Sequence, residues 1–309
     1  MPRLPAAGPG RKADPIIILS FPGSPALWAG SFTFPCAFLE RALLFYWGSI
    51  ILILEMRIGE KRVMRPNQNG IGGLYHQETK YQRDKMPRGW IDASTQPSPF
   101  KKDSPSLKRL SISPPFQEGG KPIWETIARR RSMREFSPRP ISVPELSQLL
   151  WATQGITVKA WGYDFRAVPS AGALYPIDTY VLANRVDSMV AGIYHYDVEE
   201  AQLVLQREGN YGREASEAAL GQELVANAGA VFVWTAIVER SKWKYRERAY
   251  RYIYMDVGHI GQNLYLAATA LDLGCCTIGA FYDEEVDRLV GVDGEKEISV
   301  YMGAVGRME

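Results

Sequence analysis

The chain has 309 residues, and its 46% hydrophobic content can build the core of one large domain or two ordinary ones, which excludes a disordered chain. Its 36 basic residues are balanced by 34 acidic ones, so the formal net charge of +2 gives no field that would attract nucleic acid. A small ligand suits this balance better. The adjacent Cys275 and Cys276 are badly placed for a mutual disulfide, and no cysteine or histidine spacing is typical of a zinc site. We therefore expect a reducing, cytoplasmic compartment and no metal.

Residues 1–55 carry few charges, and the stretch 16–39 carries none. That stretch is long enough to span a bilayer, but Pro22, Pro25 and Pro35 would break a spanning helix. Three interpretations stay open: a membrane anchor, a signal peptide, and a poorly structured extension that reflects a start codon assigned too far upstream. We prefer the last and expect no membrane contact, because Met56 and Met64 offer alternative starts.

Residues 56–121 form a polar lead-in arm that is rich in Pro, Ser and Lys and lacks helical or strand periodicity. The arm contains the pattern YHQETKY at positions 75–81, which by itself indicates no function. The predicted organisation is therefore an atypical apolar extension over residues 1–55, the arm over 56–121, and a single domain over 122–309.

Residues 128–136, ARRRSMREF, place an arginine cluster where a short amphipathic helix gives way to an extended segment. Guanidinium groups offer planar pairs of donors that match phosphate oxygens, and a serine adds a hydroxyl donor. Together the four arginines and the serine of this stretch can hold a phosphate monoester. A solvated basic patch and a nonspecific nucleic-acid contact remain open alternatives.

The segment VPSAGALYP, residues 168–176, has two prolines, a glycine and small side chains, so it cannot form a regular helix or a central strand. It is predicted to be a shaped loop whose backbone lies close to a flat ligand, with exposed amides and the Ser170 hydroxyl bonding to ring heteroatoms. A plain turn before a strand is the alternative.

The remaining pattern predicts a mixed helix and strand domain. Ser142 and Glu145 form a capping box that starts a helix ended by Gly155. A long central helix is predicted over residues 245–273 with Gly274 as its cap, and Asp283 is predicted to cap a helix over 284–290. Strands are predicted at 179–183, 192–196, 202–206, 228–238, 275–281 and 298–305, and His195 is interpreted as an ordinary strand residue.

Five motifs occur in the order RRRSMREF, PSAGALYP, MDVGHIGQNLYLAATALDLG, TIGAF and VYMGAVGR. Together they resemble the nitroreductase superfamily of flavoproteins, specifically its SagB-type dehydrogenase branch. The resemblance covers residues 122–307, and YHQETKY resembles the segment that precedes the core in that branch. It implies an α+β fold with a central, mostly antiparallel sheet flanked by helices, and a homodimer that binds FMN at the subunit interface.

The resemblance also assigns site residues. It implies that the FMN phosphate is held by Arg130, Ser132 and Arg134, with Arg131 adjacent and Arg307 returning from the final strand. It implies that the isoalloxazine ring is lined from the partner subunit by Pro169, Ser170 and Ala171. The turn at Ile278 and Gly279 is implied to offer a backbone amide near flavin N5.

Lys244 and Tyr245 resemble a Lys-Tyr motif implicated in the azoline oxidases of this branch, and they are the candidate catalytic pair. Dehydrogenation needs a base that removes a proton as the hydride leaves, and either side chain can serve. The alternative is an ordinary solvated run of basic residues around Lys242 and Arg246.

Three functions follow from these patterns. The first is an FMN-dependent oxidoreductase of the SagB type that oxidises peptide thiazolines or oxazolines to azoles, or acts on a related small ring. The second is an NAD(P)H-consuming reductase of nitroaromatics or quinones. The third is a non-catalytic partner in a modifying complex, which would bind FMN weakly or not at all.

Overall fold

The computed structural model describes residues 70–83 and 91–309. The extension at residues 1–55, its three interpretations and the alternative starts at Met56 and Met64 lie outside the described residues. In the described ranges, no helix is both long enough and apolar enough to cross a membrane. In the same ranges, no group of three or more His, Cys, Asp or Glu residues is arranged to hold a metal ion.

The described residues form helices and strands in the following order. The helices are α1 (Ile71–Glu78), α2 (Ile123–Arg129), α3 (Val143–Gln154), α4 (Gly212–Ala218), α5 (Glu223–Ala226), α6 (Val238–Tyr245), α7 (Ala249–Ala270) and α8 (Asp283–Val290). The strands are β1 (Arg109–Ser111), β2 (Ile156–Ala160), β3 (Tyr163–Arg166), β4 (Ile177–Ala183), β5 (Gly192–Asp197), β6 (Gln202–Glu208), β7 (Ala230–Ile237), β8 (Leu273–Ile278) and β9 (Glu297–Arg307). Short 3-10 turns span Ala93–Thr95, Ala171–Ala173 and Arg246–Arg248.

Seven of the described strands form one sheet in the order β1-β6-β5-β4-β7-β9-β8, and each neighbouring pair is antiparallel. Strands β2 and β3 form a separate hairpin. The central strand β4 is buried along its whole length, including the polar Asp178 and Thr179, because helices cover both faces of the sheet. The predicted α+β fold with a central antiparallel sheet flanked by helices is confirmed.

Each face of the sheet packs against its own set of helices. Phe232 and Trp234 of β7 lie on the face covered by α3 and α7, whereas Val231 and Val233 lie on the face covered by α4, α5 and α8. This division follows from the alternation of side chains along a strand. Burial of each such side chain contributes about 1.5–3 kcal/mol. The long helix α7 thus has one side fixed on the sheet.

The capping box that starts α3 is confirmed. The Ser142 backbone N–H donates to Glu145 Oε2 at 2.8 Å, the Glu145 N–H donates to Ser142 Oγ at 3.4 Å, and Gly155 follows the last helical residue. Such a box satisfies two backbone donors at the helix start, so both ends of this helix can be predicted from local sequence.

The prediction for the long helix was wrong at both ends. Helix α7 begins at Ala249 because Arg246, with φ 51° and ψ −137°, interrupts the chain after α6. It ends at Ala270, and Gly274 lies in β8, where an added Cβ would come within 3.0 Å of Phe136 Cε1. Gly274 is therefore needed for close packing in the sheet and does not cap the helix.

Two other local predictions also differ. Asp283 is the first residue of α8, and Tyr282 precedes it as the N-cap, so the predicted cap was wrong by one position. The arm was predicted to lack periodic structure, yet it contains α1 and β1. Strand β1 pairs with the edge of β6, with Leu110 opposite Leu203, so tertiary contacts supply what the local sequence lacks.

Candidate functional site

The arginine cluster begins where α2 ends. Arg130 is the C-cap of that helix, and its guanidinium lies 5.1 Å from the centre of the Tyr265 ring. Ser132 Oγ lies 2.9 Å from the Tyr265 hydroxyl, which also accepts the Thr277 backbone N–H at 3.0 Å. Tyr265, a residue of α7, therefore fixes two members of the cluster by its ring and its hydroxyl.

Side chains along this segment alternate between two sides. Arg131 donates to the carbonyls of Ala128 and Arg130 at 3.1 and 2.7 Å, and with Met133 it lines a cavity of about 140 Å³. Arg130 and Ser132 instead meet Tyr265, and Arg134, two residues further along the chain, is exposed. We call Arg130, Ser132 and Arg134 the arginine face.

Arg307 lies at the end of β9. Its Nη2 donates to Glu145 Oε2 at 2.8 Å, and its backbone carbonyl accepts the Ser137 N–H at 2.8 Å. The backbone of β9 thus runs beside the segment that follows the arginine face, while the guanidinium is engaged by the glutamate of the capping box. A role for Arg307 at a phosphate stays a prediction.

The loop at residues 168–176 is irregular, as predicted, and its backbone is strained. Gly172, Ala173 and Tyr175 have φ values of 66°, 54° and 46°. Positive φ is uncommon for alanine and rarer for tyrosine, and each such residue costs on the order of 1–3 kcal/mol. A conformation of this kind persists only where its surroundings determine it, so the contacts of the loop are informative.

Tyr175 anchors one end of the loop through polar contacts with buried arginines. Its hydroxyl accepts the Arg166 backbone N–H at 3.1 Å, its carbonyl accepts Arg240 Nη1 at 3.2 Å, and the Arg166 guanidinium lies 4.6 Å from its ring centre. Arg240 also faces the buried carboxylate of Asp178 at 3.2 Å. Burial lowers the pKa of Arg166 to about 10, an effect that Asp178 offsets and the nearby Arg240 reinforces.

Asp256 of α7 holds the other end of the loop. The Ser170 hydroxyl donates to Asp256 Oδ2 at 2.6 Å, and the Ala171 N–H donates to Oδ1 at 3.3 Å. Ser170 Oγ also accepts the Tyr175 N–H at 3.0 Å, so this hydroxyl serves to shape the loop. Burial raises the pKa of Asp256, and the hydrogen bonds from Ser170 and Ala171 and the charge of His259 only partly offset the rise. Contact of Pro169, Ser170 and Ala171 with a flavin ring stays a prediction.

The candidate pair Lys244 and Tyr245 lies against this same loop. A Cβ added to Gly172 would come within 2.7 Å of the Tyr245 hydroxyl and 3.0 Å of Lys244 Nζ. Both polar atoms thus converge on a backbone position that only glycine leaves open. We call Gly172, Lys244 and Tyr245 the loop centre. Burial raises the pKa of Tyr245, and the nearby Tyr252 and Asp256 raise it further.

Ile278 is the buried last residue of β8, and Gly279 follows it on the surface. A Cβ on Gly279 would lie 3.7 Å from Tyr301 Cε2, an ordinary contact, so this glycine has room for a methyl group. Gly279 lines a cavity of about 760 Å³ with Tyr254 and Phe281 on its wall. The predicted turn therefore opens onto a cavity large enough for a small molecule.

Helix α7 contacts both the loop at residues 168–176 and the arginine face, at separate points along its length. Asp256 contacts the loop, and Tyr265 contacts the arginine face, at points roughly 13 Å apart along the helix axis. Within the part of the chain that the structure describes, Lys244 and Tyr245 thus lie against the loop, whereas Arg130 and Ser132 lie against Tyr265.

Four residues that contact the site were not predicted from the sequence to have a role. Asp256, Tyr265, Tyr252 and Arg248 received no role, although they lie in or beside the motif of the long helix. A signal existed for Asp256, because it directly precedes Val257 on the buried stripe of the helix, where a carboxylate needs a partner. Tyr265 lies on the same stripe and gave no distinct signal.

Comparison with known proteins decides the family. A sequence profile described as the Nitroreductase family matches residues 127–307. The chain belongs to the nitroreductase family. The predicted resemblance to that family is confirmed, and the protein is a nitroreductase-family oxidoreductase.

Similar proteins fall into two kinds. MJ1384 of Methanocaldococcus jannaschii, provisionally named a nitroreductase, is 38% identical over 185 residues, which are 60% of this chain and 90% of that protein. The trifolitoxin-processing protein TfxB of Rhizobium leguminosarum bv. trifolii is 36% identical over 127 residues, which are 39% of this chain and 34% of TfxB.

One crystal structure of a nitroreductase-like protein, from Anabaena variabilis ATCC 29413, aligns with a TM-score of 0.63 and 29% identity. The alignment covers 77% of this chain and 47% of that one. This chain therefore spans less than half the length of TfxB and of the Anabaena protein, whereas it spans nearly all of MJ1384.

Proposed function

We propose that this nitroreductase-family chain is an FMN-dependent dehydrogenase of the SagB type that oxidises thiazolines or oxazolines in a peptide to azoles. The observation that carries the proposal is the loop centre, where Lys244 Nζ and the Tyr245 hydroxyl converge on Gly172. Oxidation of an azoline removes a hydride and a proton from adjacent ring carbons, so a base must lie beside the surface on which the ring stacks. The loop centre provides that adjacency within one chain.

The residues present fit FMN. The arginine face offers two guanidinium groups and a hydroxyl within one short segment, which suits a phosphate dianion. The loop presents the backbone of Ala171 and Gly172, and the missing Cβ of Gly172 lets the Tyr245 hydroxyl and Lys244 Nζ lie close to that backbone. The bound flavin would supply two-electron chemistry by accepting a hydride from the substrate carbon.

A homodimer would complete the site, because the loop centre and the arginine face lie apart on one chain. A partner could place its loop centre against this chain's arginine face. Exposed apolar side chains support such an interface, since Trp124 of α2 is 79% exposed and Tyr254 and Met255 of α7 are 56% and 52% exposed. Gly258 on α7 has open space around its Cα and would allow a second helix to approach closely.

The raised pKa of Tyr245 assigns different roles to the two residues of the pair. Its phenol keeps its proton at neutral pH, because burial and the neighbouring Tyr252 and Asp256 disfavour the phenolate. Tyr245 therefore acts as a hydrogen-bond donor that orients the azoline ring. The exposed amine of Lys244 acts as the base that removes the ring proton, while the hydride leaves from the adjacent carbon.

The likeness to TfxB supports a role in processing a larger product, because that protein is named for the processing of trifolitoxin. The likeness to MJ1384 favours a second candidate, an NAD(P)H-dependent reductase of nitroaromatics or quinones, since it extends over nearly all of that protein. The two candidates share FMN and the fold, and they differ in the molecule that reduces the flavin.

The full chain should therefore be purified and its visible absorption spectrum recorded after FMN is supplied. Without oxygen, a peptide carrying one thiazoline is expected to bleach the flavin bands. NADPH is expected to bleach them much more slowly than the peptide does. Rapid bleaching by NADPH with none by the thiazoline would support the reductase instead. A protein that stays colourless with FMN would support the non-catalytic partner and contradict the proposal.

A further inference from the structure

Tyr245 packs against a second tyrosine that the proposed reaction does not use. The ring centres of Tyr245 and Tyr252 are 4.4 Å apart with an interplanar angle of 50°. Between them the chain turns at Arg246, whose φ of 51° and ψ of −137° are normally reserved for glycine. This strained residue ends α6 and brings the first turn of α7 back beside Tyr245. The geometry makes Tyr252 the aromatic neighbour that fixes the Tyr245 ring.

Arg248 holds Tyr252 from the other side. Its Nε donates to the Tyr252 hydroxyl at 3.1 Å, and its guanidinium lies 4.2 Å from the centre of the Tyr81 ring. Its Nη1 also donates to the carbonyl of Thr79. A guanidinium that stacks on one phenol ring and donates to another phenol oxygen orders both side chains. We call Arg248, Tyr81 and Tyr252 the tyrosine clamp.

The segment that carries Tyr81 is docked on the start of α7 by further contacts. The Tyr75 hydroxyl accepts the Arg251 backbone N–H at 2.9 Å, which satisfies a donor of the first turn of α7. His76 Nδ1 lies 3.1 Å from Arg251 Nη2. The YHQETKY pattern thus packs where α7 begins, next to the loop centre, and its aromatic and polar residues make the contacts.

The two tyrosines have different charged neighbours. Burial alone would raise the pKa of Tyr252, but the hydrogen bond from Arg248, the adjacent Tyr81 and the charges of Arg248 and Arg251 lower it. Tyr245 instead faces Asp256 and Tyr252, and its neighbour Lys244 lies 5.6 Å from its ring centre. The pKa of Tyr252 is therefore lowered and that of Tyr245 raised, and a negative charge on Tyr252 would disfavour a second phenolate on the adjacent Tyr245 ring.

We propose that Tyr252 is a positioning residue for Tyr245, and that the tyrosine clamp, with the segment Tyr75–Tyr81, belongs to the same functional centre. Tyr252 fixes the Tyr245 ring at Gly172 and preserves its phenol as a donor toward the substrate ring. Arg248 in turn holds Tyr252 against the arm. This role rests on the proposed function, because that function assigns Tyr245 to the reacting ring.

The first test needs neither flavin nor substrate. Tyrosine labelled with ¹³C at the ζ carbon reports each phenol by NMR, and the signals are assigned with Tyr252→Phe and Tyr245→Phe in the full chain. We expect Tyr252 to titrate below the ordinary value of 10.0 and Tyr245 above it. Arg248→Gln should move the Tyr252 midpoint upward by about one unit, and Tyr252→Phe should lower the Tyr245 midpoint.

A matched control exists elsewhere on the surface. Arg207 stacks on Tyr211 with the guanidinium 4.6 Å from the ring centre, so Arg207→Gln and Tyr211→Phe alter a similar pair far along the chain. These variants should leave the Tyr245 midpoint unchanged. A Tyr252 midpoint that does not respond to Arg248→Gln, or a Tyr245 midpoint that does not respond to Tyr252→Phe, would overturn the proposal.

The second test measures function with a synthetic peptide carrying one thiazoline. In Tyr252→Phe the alkaline limb of kcat/KM should move to lower pH, with KM within about twofold of the parent, since the ring stack is kept. A profile that superimposes on the parent would overturn the functional role. If the parent itself does not oxidise the thiazoline, the proposed function fails, and the NMR titrations still decide whether the clamp controls Tyr245.

Discussion

At the arginine face, Arg130, Ser132 and Arg134 are exposed or half-buried, follow the end of one short helix, and contact α7 through Tyr265. At the loop centre the backbone is strained, and Gly172 meets Lys244 and Tyr245 from a distant part of the chain. Because its side chains are not deeply buried, the arginine face contributes little to folding. The loop centre depends on buried polar groups, so there stability and function are coupled. The following variants separate these two properties, beginning with the largest expected loss of stability.

Arg240→Ala should cause the largest loss, because it leaves the buried Asp178 carboxylate without its cation and removes a donor to the Tyr175 carbonyl. Breaking a buried pair in this way costs about 3–5 kcal/mol of unfolding free energy, measured by urea denaturation. Lys242→Ala is the matched control, since its partner Glu247 is largely exposed and such pairs contribute about 1 kcal/mol or less. Equal losses in the two variants would show that the loop is not anchored through Arg240.

Gly172→Ala should destabilise the chain by about 1–3 kcal/mol, because alanine is strained at a φ of 66°. Its Cβ would also displace the Tyr245 hydroxyl and Lys244 Nζ, so thiazoline oxidation should fall more than stability predicts. Gly279→Ala has room for the methyl group and should stay within about 0.5 kcal/mol of the parent. Full activity in Gly172→Ala would show that close contact of the Tyr245 hydroxyl and Lys244 Nζ with residue 172 is not required for oxidation.

Asp256→Asn should cost about 1–2 kcal/mol at neutral pH, because one of the two acceptors for Ser170 and Ala171 is lost. The pKa of Asp256 is raised in the folded chain, so the unfolded chain ionises first as pH rises above 3.8. The parent therefore loses stability relative to the variant between pH 3.8 and the raised folded pKa, and the difference is constant at higher pH. Urea denaturation across this range should show a flatter profile for the variant, and parallel profiles would contradict the assignment.

Arg130→Ala combined with Arg134→Ala should leave unfolding free energy within about 0.5 kcal/mol of the parent, because neither side chain is deeply buried. FMN affinity should nevertheless fall by about 100-fold or more, since two charged contacts to a phosphate are removed. Arg129→Ala is the control, as that side chain pairs with Glu125 on α2. Full FMN occupancy in the double variant would contradict the assignment of the phosphate site to the arginine face.

The same contrast explains what could be predicted from the sequence. The capping box of Ser142 and Glu145 and six of the seven strands of the sheet show local sequence patterns, and their presence is confirmed, whereas β1 was missed. The cluster at 128–136 was likewise visible as a local pattern. The resemblance to the family could be recognised because its motifs are short, contiguous segments that occur in a fixed order.

The contacts that shape the loop could not be predicted, since they join positions far apart in the chain. The Ser170 hydroxyl donates to Asp256, and Arg240 Nε donates to the carbonyl of Ser98 in the arm at 2.8 Å. The start of α7 was misplaced for a related reason, because Arg246 adopts a backbone conformation that its residue type does not suggest. Tertiary contacts overrule local preference at these positions.

The central claim is that Lys244 at the loop centre removes a ring proton during azoline oxidation. Its most direct test is anaerobic stopped-flow absorbance of the FMN-loaded full chain and of Lys244→Ala, mixed with a peptide carrying one thiazoline. The account predicts flavin bleaching in the parent and a rate lower by about 100- to 10,000-fold in the variant, with FMN affinity unchanged. Equal bleaching rates in the two proteins would contradict it.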